Sequence, residues 1–276
     1  MNLLQNIILT LGLVACTTSN GFNTNQSGGI IDQIRRGNDI VQIGTTISEA
    51  IELGDLFSVH EQSFEVRGEW LFVDCTFEED IIWKDSEGRT VRFRDDITFK
   101  NCEFKGNVII NDAAFEGNFK MLDCVVAKDL DLQRNTFFYP VRITGCKTGN
   151  DMTLQYSRFH EDVTFLDSEV GRHVLCQGLS VYGKSQFGNL SSSGSVDLSN
   201  SDFHENFSAN YMSIGGKILT SNCRFHGDFS MNQFEAGGSV SIKNSRVMGQ
   251  FLLGAKDSMA EIIDTDFMHF DLDQKK

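Results

Sequence analysis

An eleven-residue repeat runs through this chain without a slip from Phe104 to about Ser258. The first position of each repeat, called the anchor below, is apolar in twelve of fifteen repeats, and the position four residues later is apolar in fourteen of fifteen. Because only 40% of the whole chain is apolar, chance does not produce this pattern. Such regularity predicts a stack of similar units. The anchors are Phe104, Phe115, Val126, Phe137, Thr148, Phe159, Val170, Val181, Ser192, Phe203, Ile214, Phe225, Ala236, Val247 and Ser258.

The spacing inside each repeat predicts short β-strands. The positions four and six residues after the anchor are both apolar, as in Val108 and Ile110, and residues two apart point to the same side of an extended chain. The residue two before the anchor, such as Cys102, is mostly small and also faces inward. Eight repeats carry Gly two residues after the anchor, often followed by Asn or Asp, and we expect left-handed or tight turns there. Regularly placed glycines and β-branched residues argue against a helix of the same period.

Alternate repeats differ in a way that defines the coil. One series of anchors is mostly Phe and the other series holds smaller residues, while Cys102, Cys124 and Cys146 recur every 22 residues. Positions 22 apart therefore lie directly above one another, and one coil has four short faces. The sequence predicts an all-β fold, a right-handed parallel β-helix with about 22 residues per coil and a ladder of Phe rings inside.

The same pattern extends toward the amino terminus with one interruption. Val66, Trp70 and Phe72 fit the repeat, but the step from Phe77 to Phe93 is longer than one repeat. Five extra residues therefore lie near 84–90, in a polar segment that predicts a protruding turn. The insertion is either a plain turn or a binding element, and allowing for it places Cys75 in the cysteine column.

Residues 30–63 are expected to form a helical cap on the first coil. Ile30 and Ile34 fit a short helix that ends at Gly37, and Thr46 to Glu49 has the pattern of a capping box for a second helix. The cap would cover the exposed strand edges, or it would bind a partner. The sequence thus divides into a signal peptide over 1–15, a flexible tether over 16–29, the cap over 30–63, the β-helix over 64–272 and a tail over 273–276.

Residues 1–16 have a different character from the rest. An apolar run that is too short to span a membrane as a helix ends in LVAC at 13–16. This ending resembles the bacterial lipobox, which implies cleavage before Cys16 and lipid on its sulfur and new amino terminus. The usual Lys or Arg near the start is absent, so the alternatives are an ordinary secretory signal or an incorrectly assigned start. By the same resemblance, Thr17 implies transport to the outer membrane.

Two repeats carry a family resemblance. Cys102-Glu103-Phe104 and Ala113-Ala114-Phe115 place a small residue two positions before Phe, as the pentapeptide-repeat family does. The chain resembles a longer variant of that family over roughly residues 64–270. The resemblance implies a quadrilateral right-handed β-helix, and it supplies no catalytic residues.

The remaining cysteines are predicted to be small residues of the core. Cysteines stacked in register in adjacent parallel coils point the same way, so they do not easily reach the dihedral angle of a disulfide. The sequence contains no CxxC pair and no zinc-finger spacing. The six are Cys75, Cys102, Cys124, Cys146, Cys176 and Cys223.

Three histidines occupy one corner of the predicted coil. His160, His204 and His226 each follow a Phe anchor, and the last two are 22 residues apart, so they should be neighbours in adjacent coils. With the carboxylates that follow them in sequence, such as Asp162 and Asp228, they could hold a divalent cation weakly. The alternative is a solvated turn, and we expect no metal or other cofactor in the protein as purified.

Catalytic motifs are not found in the sequence. It has no GxSxG, no HExxH and no P-loop, and its uniform repeats leave few long loops from which a cleft could be built. A formal charge of −14 disfavours nonspecific binding of nucleic acid. Exposed aliphatic residues such as Ile109, Leu175 and Leu219 suit an interface with another protein.

These observations predict a non-enzymatic protein of the bacterial cell envelope, anchored to a membrane through lipid on Cys16 and acting as a scaffold or binding surface. The first alternative is a cytoplasmic pentapeptide-repeat protein that mimics DNA and binds a topoisomerase, as the resemblance implies for some acidic members. It requires that residues 1–16 are not a signal. The second alternative is a carbohydrate-active β-helix enzyme, which requires a cleft.

Overall fold

The computed structural model describes residues 29–53, 63–83, 90–255 and 260–271. They form a parallel β-solenoid of about 22 residues per coil, preceded by one short helix. The predicted fold class is therefore confirmed. The signal peptide with Cys16, the tether as far as residue 28, the insertion at 84–89, Ser258 and the tail lie outside the described residues.

Each coil has four faces, numbered 1 to 4 here in chain order, and each face is a stack of parallel strands. The stacking follows from the repeat, because Phe119 pairs with Val141 and Val141 with Val163, each one coil further along the chain.

The strand bounds by face are as follows. Face 1 contains Ser63–Val66, Thr90–Phe93, Ala113–Phe115, Thr136–Phe137, Arg158–Phe159, Ser180–Val181, Asp202–Phe203 and Arg224–Phe225. Face 2 contains Ile40–Ile43, Trp70–Val73, Ile97–Lys100, Phe119–Leu122, Val141–Thr144, Val163–Leu166, Ser185–Gln186 and Phe207–Ser208. Face 3 contains Thr46–Ile47, Thr76–Phe77, Glu103–Phe104, Val125–Val126, Lys147–Thr148, Glu169–Val170, Ser191–Ser192 and Ser213–Ile214.

Face 4 contains Ile51–Glu52, Ile81–Trp83, Val108–Ile110, Leu130–Asp131, Met152–Thr153, Val174–Leu175, Val196–Asp197, Ile218–Ser221, Val240–Lys243 and Ala260–Ile263. Three long strands near the carboxyl end continue around a corner. Phe229–Ala236 joins faces 2 and 3, while Arg246–Ala255 and Asp266–Asp271 join faces 1 and 2.

The amino-terminal cap contains one helix, α1, over Ile30–Arg36. As predicted, it ends at Gly37, which has a left-handed φ of 67°. Ile30 and Ile34 are buried in the solenoid core, so the helix covers one end of the stack. No helix within the described residues is long and apolar enough to cross a membrane.

The second helix predicted after Thr46 is not formed. Thr46–Ile47 and Ile51–Glu52 are strands that pair with the next coil, so the solenoid starts at Ile40, earlier than expected. Stacking of apolar side chains onto that coil outweighs the local helical pattern. Glu49, the acidic residue of the expected capping box, instead accepts the backbone N–H of Ile30 at 2.8 Å, at the start of α1.

The strand register locates the departures from the regular coil length. Trp70 pairs with Ile97, five positions beyond one regular coil, which confirms the predicted insertion. The first coil is longer still, because Ile40 pairs with Trp70, and its extra positions fall between Glu52 and Ser63. This longer first coil was not predicted, because the segment was expected to belong to the cap.

The last described coil is shorter than the others. Val240 pairs with Ala260, two positions short of a regular coil. Ile262 therefore pairs with Ile242, which stands six residues after its anchor. The unbroken eleven-residue period predicted that Ile262 would instead lie in the column four residues after the anchors.

Left-handed turns lie elsewhere than predicted. From Asn101 to Asn244 every eleventh residue has a positive φ, between 48° and 69°, and this residue stands three positions before the anchor. The eight glycines that follow the anchors have no positive φ. At Gly117 the reason for glycine is close approach between coils, because a Cβ would lie 2.3 Å from the carbonyl carbon of Asp95. The left-handed residues are Asn101, Asp112, Asp123, Arg134, Gly145, Tyr156, Asp167, Gly178, Asn189, Asn200, Tyr211, Asn222, Gln233 and Asn244.

The core contains the predicted phenylalanine ladders. On face 1, successive rings of Phe93, Phe115, Phe137 and Phe159 stack with centroid separations of 4.9, 4.6 and 5.0 Å. The ladder is interrupted at Val181 and continues with Phe203 and Phe225 at 5.1 Å. Since coils repeat at ~4.8 Å, identical flat side chains in register come into contact without any change of rotamer.

Candidate binding face

Five consecutive coils carry an aromatic or imidazole ring outside the solenoid, directly after the face 1 anchor. These rings, called the ring column here, lie one above another with centroid separations of 4.8, 5.4, 4.4 and 4.9 Å and interplanar angles of at most 16°. The ring column consists of Phe138, His160, Tyr182, His204 and His226. Because stacked rings cover one another's faces, solvent meets their edges.

The backbone sets this arrangement. Each ring residue donates its N–H to the carbonyl of the anchor one coil earlier, as His160 does to Phe137 at 2.9 Å and Tyr182 to Phe159 at 2.8 Å. The ring therefore leaves the chain at the same point in every coil. Phe138 and Tyr182 remain 39% and 40% exposed, so the stacking does not bury the column.

Arginines flank the ring column. The residue before each face 1 anchor also points outward, and Arg158, Arg224 and Arg246 occupy that position. Over residues 65–248 the two outward columns of face 1 contain six arginines and three carboxylates, Glu65, Glu116 and Asp202. This face therefore has the opposite sign of charge to the chain as a whole, which carries −14.

An ion-pair network precedes the ring column on face 1. The guanidinium of Arg94 donates to both Glu65 and Glu116, and Arg92 Nη1 lies 3.2 Å from Glu116 Oε1. The hydrogen bond from Arg94, with a second from Arg67, lowers the pKa of the Glu65 carboxyl. These pairs connect successive coils on the surface.

A shallow depression lies beside Phe138 at the start of the ring column. Small side chains at Ala113 and Ala114 form part of its lining, and Arg92 and Arg134 also line it. Arg134 is held by a bidentate pair with Asp112, at 2.7 and 2.9 Å from its two oxygens. Asp112 lines the depression as well, so the positive charge of Arg134 is already balanced there.

The structure brings two of the three predicted histidines together. His204 and His226 stack at 4.9 Å with planes 3° apart, while Tyr182 separates His160 from His204. Their carboxylate neighbour is Asp202, which was not among the predicted ligands. Its Oδ1 lies 2.9 Å from His226 Nε2 and 3.9 Å from His204 Nε2.

Asp202 could have been found from the strand period. It stands two residues before His204, so both side chains point outward on face 1, and the register places them beside the next coil. The expected carboxylates are used differently. Asp162 accepts the backbone N–H of Lys184 and Asp228 that of Gln250, both at 2.8 Å.

Acceptance of backbone N–H groups by carboxylates explains much of the acidic composition. Three residues after the anchor, an Asp side chain often accepts a backbone N–H from the coil above, as Asp80 does from Asn107 at 2.7 Å and Asp151 from His173 at 2.9 Å. A turn N–H that would lack a partner is thereby satisfied. Many carboxylates therefore have a structural role, and the negative charge alone does not define a binding surface.

All six described cysteines are buried, as predicted. Cys75, Cys102, Cys124 and Cys146 form one column of the core, and their thiols contact backbone carbonyls. Burial raises the pKa of Cys223 to about 12. These thiols are core side chains and are poorly placed to act as nucleophiles.

The aliphatic residues expected at an interface lie on face 4. Leu175 and Leu219 are half-buried and alternate with Asp197, which accepts a hydrogen bond from Gln177 at 2.7 Å. Polar side chains thus divide the apolar ones into separate small areas. Face 1, with its continuous ring column, is the better candidate for binding.

The geometry defines a class: a parallel β-solenoid protein whose outward side chains form continuous columns along flat faces. No protein-family model, no curated protein and no solved structure matches the chain.

Proposed function

We propose that this chain is a non-enzymatic protein of the bacterial cell envelope, anchored through lipid on Cys16, which presents face 1 of a rigid β-solenoid to another protein. The ring column is the observation that carries the binding role. Tyr, His and Arg side chains that are fixed in place and still exposed lose little conformational freedom on binding. The five stacked rings of the ring column lie along one face and suit a partner with an extended binding surface.

The charge of face 1 supports an acidic partner surface. The chain as a whole is strongly negative, but arginines outnumber carboxylates on this face. An acidic partner would be repelled by the other faces and drawn to this one, so the field would orient the encounter. Such an association weakens as salt screens the charges.

Anchoring rests on the sequence LVAC at 13–16 and its resemblance to the lipobox. Three acyl chains contribute ~0.8 kcal/mol per buried CH₂ group, enough for stable attachment. The polar segment 17–29 would then act as a tether with a reach of roughly 20 Å. By the same resemblance we place the anchor in the outer membrane. We also propose that the solenoid is a longer-repeat relative of the pentapeptide-repeat family.

The proposed anchor is tested by the intact mass of the full chain made in a bacterial host, with Cys16→Ala as its matched control. We expect loss of residues 1–15 and a lipid-sized gain in mass, both abolished by the substitution. An uncleaved, soluble wild-type chain would contradict the envelope location. Inhibition of a topoisomerase would then be measured, because the DNA-mimic interpretation would become the leading one.

The binding face is tested by photo-crosslinking in cells. A photoreactive amino acid replaces His160 on face 1 or, as the control, Thr153 on face 4. We expect a defined adduct with one acidic protein from position 160, reduced when cells are lysed in high salt before irradiation, and none from position 153. Equal adducts from both positions, or none from position 160, would contradict the proposal.

A further inference from the structure

We propose that Asp202, His204 and His226 form a binding site for a divalent transition-metal ion such as Zn²⁺. One ligand atom from each residue lies within 4.8 Å of the other two. Imidazole nitrogen and carboxylate oxygen are both ordinary zinc ligands. The site belongs to the face 1 surface, and it stands whether or not the chain is anchored to a membrane.

The two distances from Asp202 to the histidines are close to those around one ion. With zinc–ligand bonds of ~2.0–2.1 Å in a tetrahedral site, two ligand atoms lie ~3.4 Å apart. The distances of 2.9 Å from Asp202 Oδ1 to His226 Nε2 and 3.9 Å to His204 Nε2 lie on either side of that value. The two imidazole planes are 3° apart, so His204 and His226 would have to tilt out of the parallel stack for both Nε2 lone pairs to point at one ion.

Stacking keeps the two imidazole ligands adjacent before any ion arrives. The ring of His204 is stacked between Tyr182 at 4.4 Å and His226 at 4.9 Å, so both imidazoles have fixed planes. The backbone of each is bonded to the coil below, His204 to Val181 and His226 to Phe203. The stack therefore keeps the two imidazoles next to each other, and binding of an ion would tilt the rings toward a shared point.

The neighbouring charges predict a site of moderate affinity. Arg224 Nη1 lies 3.6 Å from Asp202 Oδ2, and this pair orients the carboxylate so that Oδ1 faces the histidines. The positive charge of the guanidinium also opposes a cation. The side chains of Asp202, His204 and His226 are 30%, 37% and 33% exposed, so an ion would exchange with solvent. Three protein ligands leave a fourth position for water.

The donor set also predicts selectivity. Two imidazoles favour Cu²⁺, Ni²⁺ and Zn²⁺, whereas Mg²⁺ and Ca²⁺ prefer sites made of oxygen alone. In the ion-free protein His226 Nε2 lies at hydrogen-bond distance from Asp202, and a metal ion would replace that contact.

The test is calorimetric titration of the full chain with ZnCl₂ after treatment with a chelator. We expect one ion per chain for the wild type, weakening of tenfold or more for Asp202→Asn, His204→Ala or His226→Ala, and no binding in the double histidine variant. His160→Ala is the matched control, because it removes a ring of the same column and no ligand, and should bind as the wild type does.

Two further measurements keep the outcome decisive. Circular dichroism of each variant shows whether it is folded, which we expect because the side chains are partly exposed. Titration with Co²⁺ reports ligand geometry by its visible absorption, which should be intense for a tetrahedral site and absent in the double variant. Zinc binding that is absent in the wild type, or unchanged in His204→Ala and His226→Ala, would overturn the proposal. MgCl₂ should give no heat.

Discussion

The rings of Phe115 and Phe137 stack in the solenoid core with centroids 4.6 Å apart and planes 10° apart. Phe137 is fully buried and contacts a second stacked ring, Phe159, at 5.0 Å on its other side. Each coil thus binds its neighbours through the same side chain that fills its own interior. In a solenoid, whose coils contact only their neighbours, such a ladder carries the cohesion from one coil to the next.

Replacing Phe137 by Ala should therefore destabilise the solenoid strongly. Removing a fully buried ring leaves a cavity and typically costs about 3–5 kcal/mol. The free energy of unfolding, measured by urea denaturation, should fall by that amount, or the region around this coil should unfold in a separate earlier transition. Phe138→Ala is the control, since Phe138 is 39% exposed, and should cost about 1 kcal/mol or less. Equal losses for the two variants would contradict the ladder as the source of cohesion.

A second prediction concerns the glycines after the anchors. They are needed because the neighbouring coil leaves no space for a Cβ, and not because of their φ angle. A Cβ at Gly117 would lie 2.3 Å from the carbonyl carbon of Asp95, and backbone atoms cannot easily move aside. Gly117→Ala should therefore cost about 1–3 kcal/mol, as other overpacking changes do.

Gly188→Ala is the matched control for Gly117→Ala. Its Cβ would meet first a methyl group of Leu166 at 3.1 Å, which a small rotation can relieve. The melting temperature should fall clearly for Gly117→Ala and little for Gly188→Ala. A similar decrease for both would mean that glycine is needed for its flexibility alone.

These glycines also show which part of the fold the sequence could predict. Apolar periodicity reports which side chains face inward, so the eleven-residue period, the 22-residue coil, the cysteine column and the insertion after Trp83 followed from it. The position of the left-handed turn did not follow, because Arg134 and Tyr156 adopt positive φ there beside the more usual Asn and Asp. The glycines after the anchors indicated the wrong position for the left-handed turn, because in this protein they allow close contact between coils.

The ends and the site were less predictable for a different physical reason. Thr46 to Glu49 matches a capping box locally, but pairing of Ile47 with Phe77 fixes it as a strand, and single-segment patterns contain no information about that partner.

For the site, the 22-residue period placed His204 beside His226. Asp202 was missed because it stands before the anchor Phe203, whereas His204 follows it. The two residues lie close together because the side chains on both sides of an anchor point outward.

The acid stability of the protein should depend on the Asp side chains that accept backbone N–H groups from the next coil. The N–H of Asn107, which donates to Asp80, lowers the pKa of that carboxyl. A carboxyl whose folded pKa lies below its unfolded value of ~3.9 adds stability above that pH and loses the contribution as the pH falls through the folded pKa. Between pH 7 and pH 2, urea denaturation should show a larger loss of stability for the wild type than for Asp80→Asn. An identical loss for the wild type and Asp80→Asn would mean that the hydrogen bond from Asn107 does not favour the ionised form of Asp80.

Thiol reactivity provides the last prediction. Burial raises the pKa of Cys176 and Cys223, and for Cys223 to about 12, so very little thiolate forms at neutral pH. In Cys16→Ala, the six described cysteines should react with iodoacetamide orders of magnitude more slowly in the folded protein than in urea, because all six thiols are buried and the reagent must reach the sulfur. Labelling followed by intact mass counts the modified thiols directly. The free amino acid cysteine serves as the reagent control. Fast modification of any thiol in the folded chain would show that the core opens readily at that coil, and peptide mapping would identify which one.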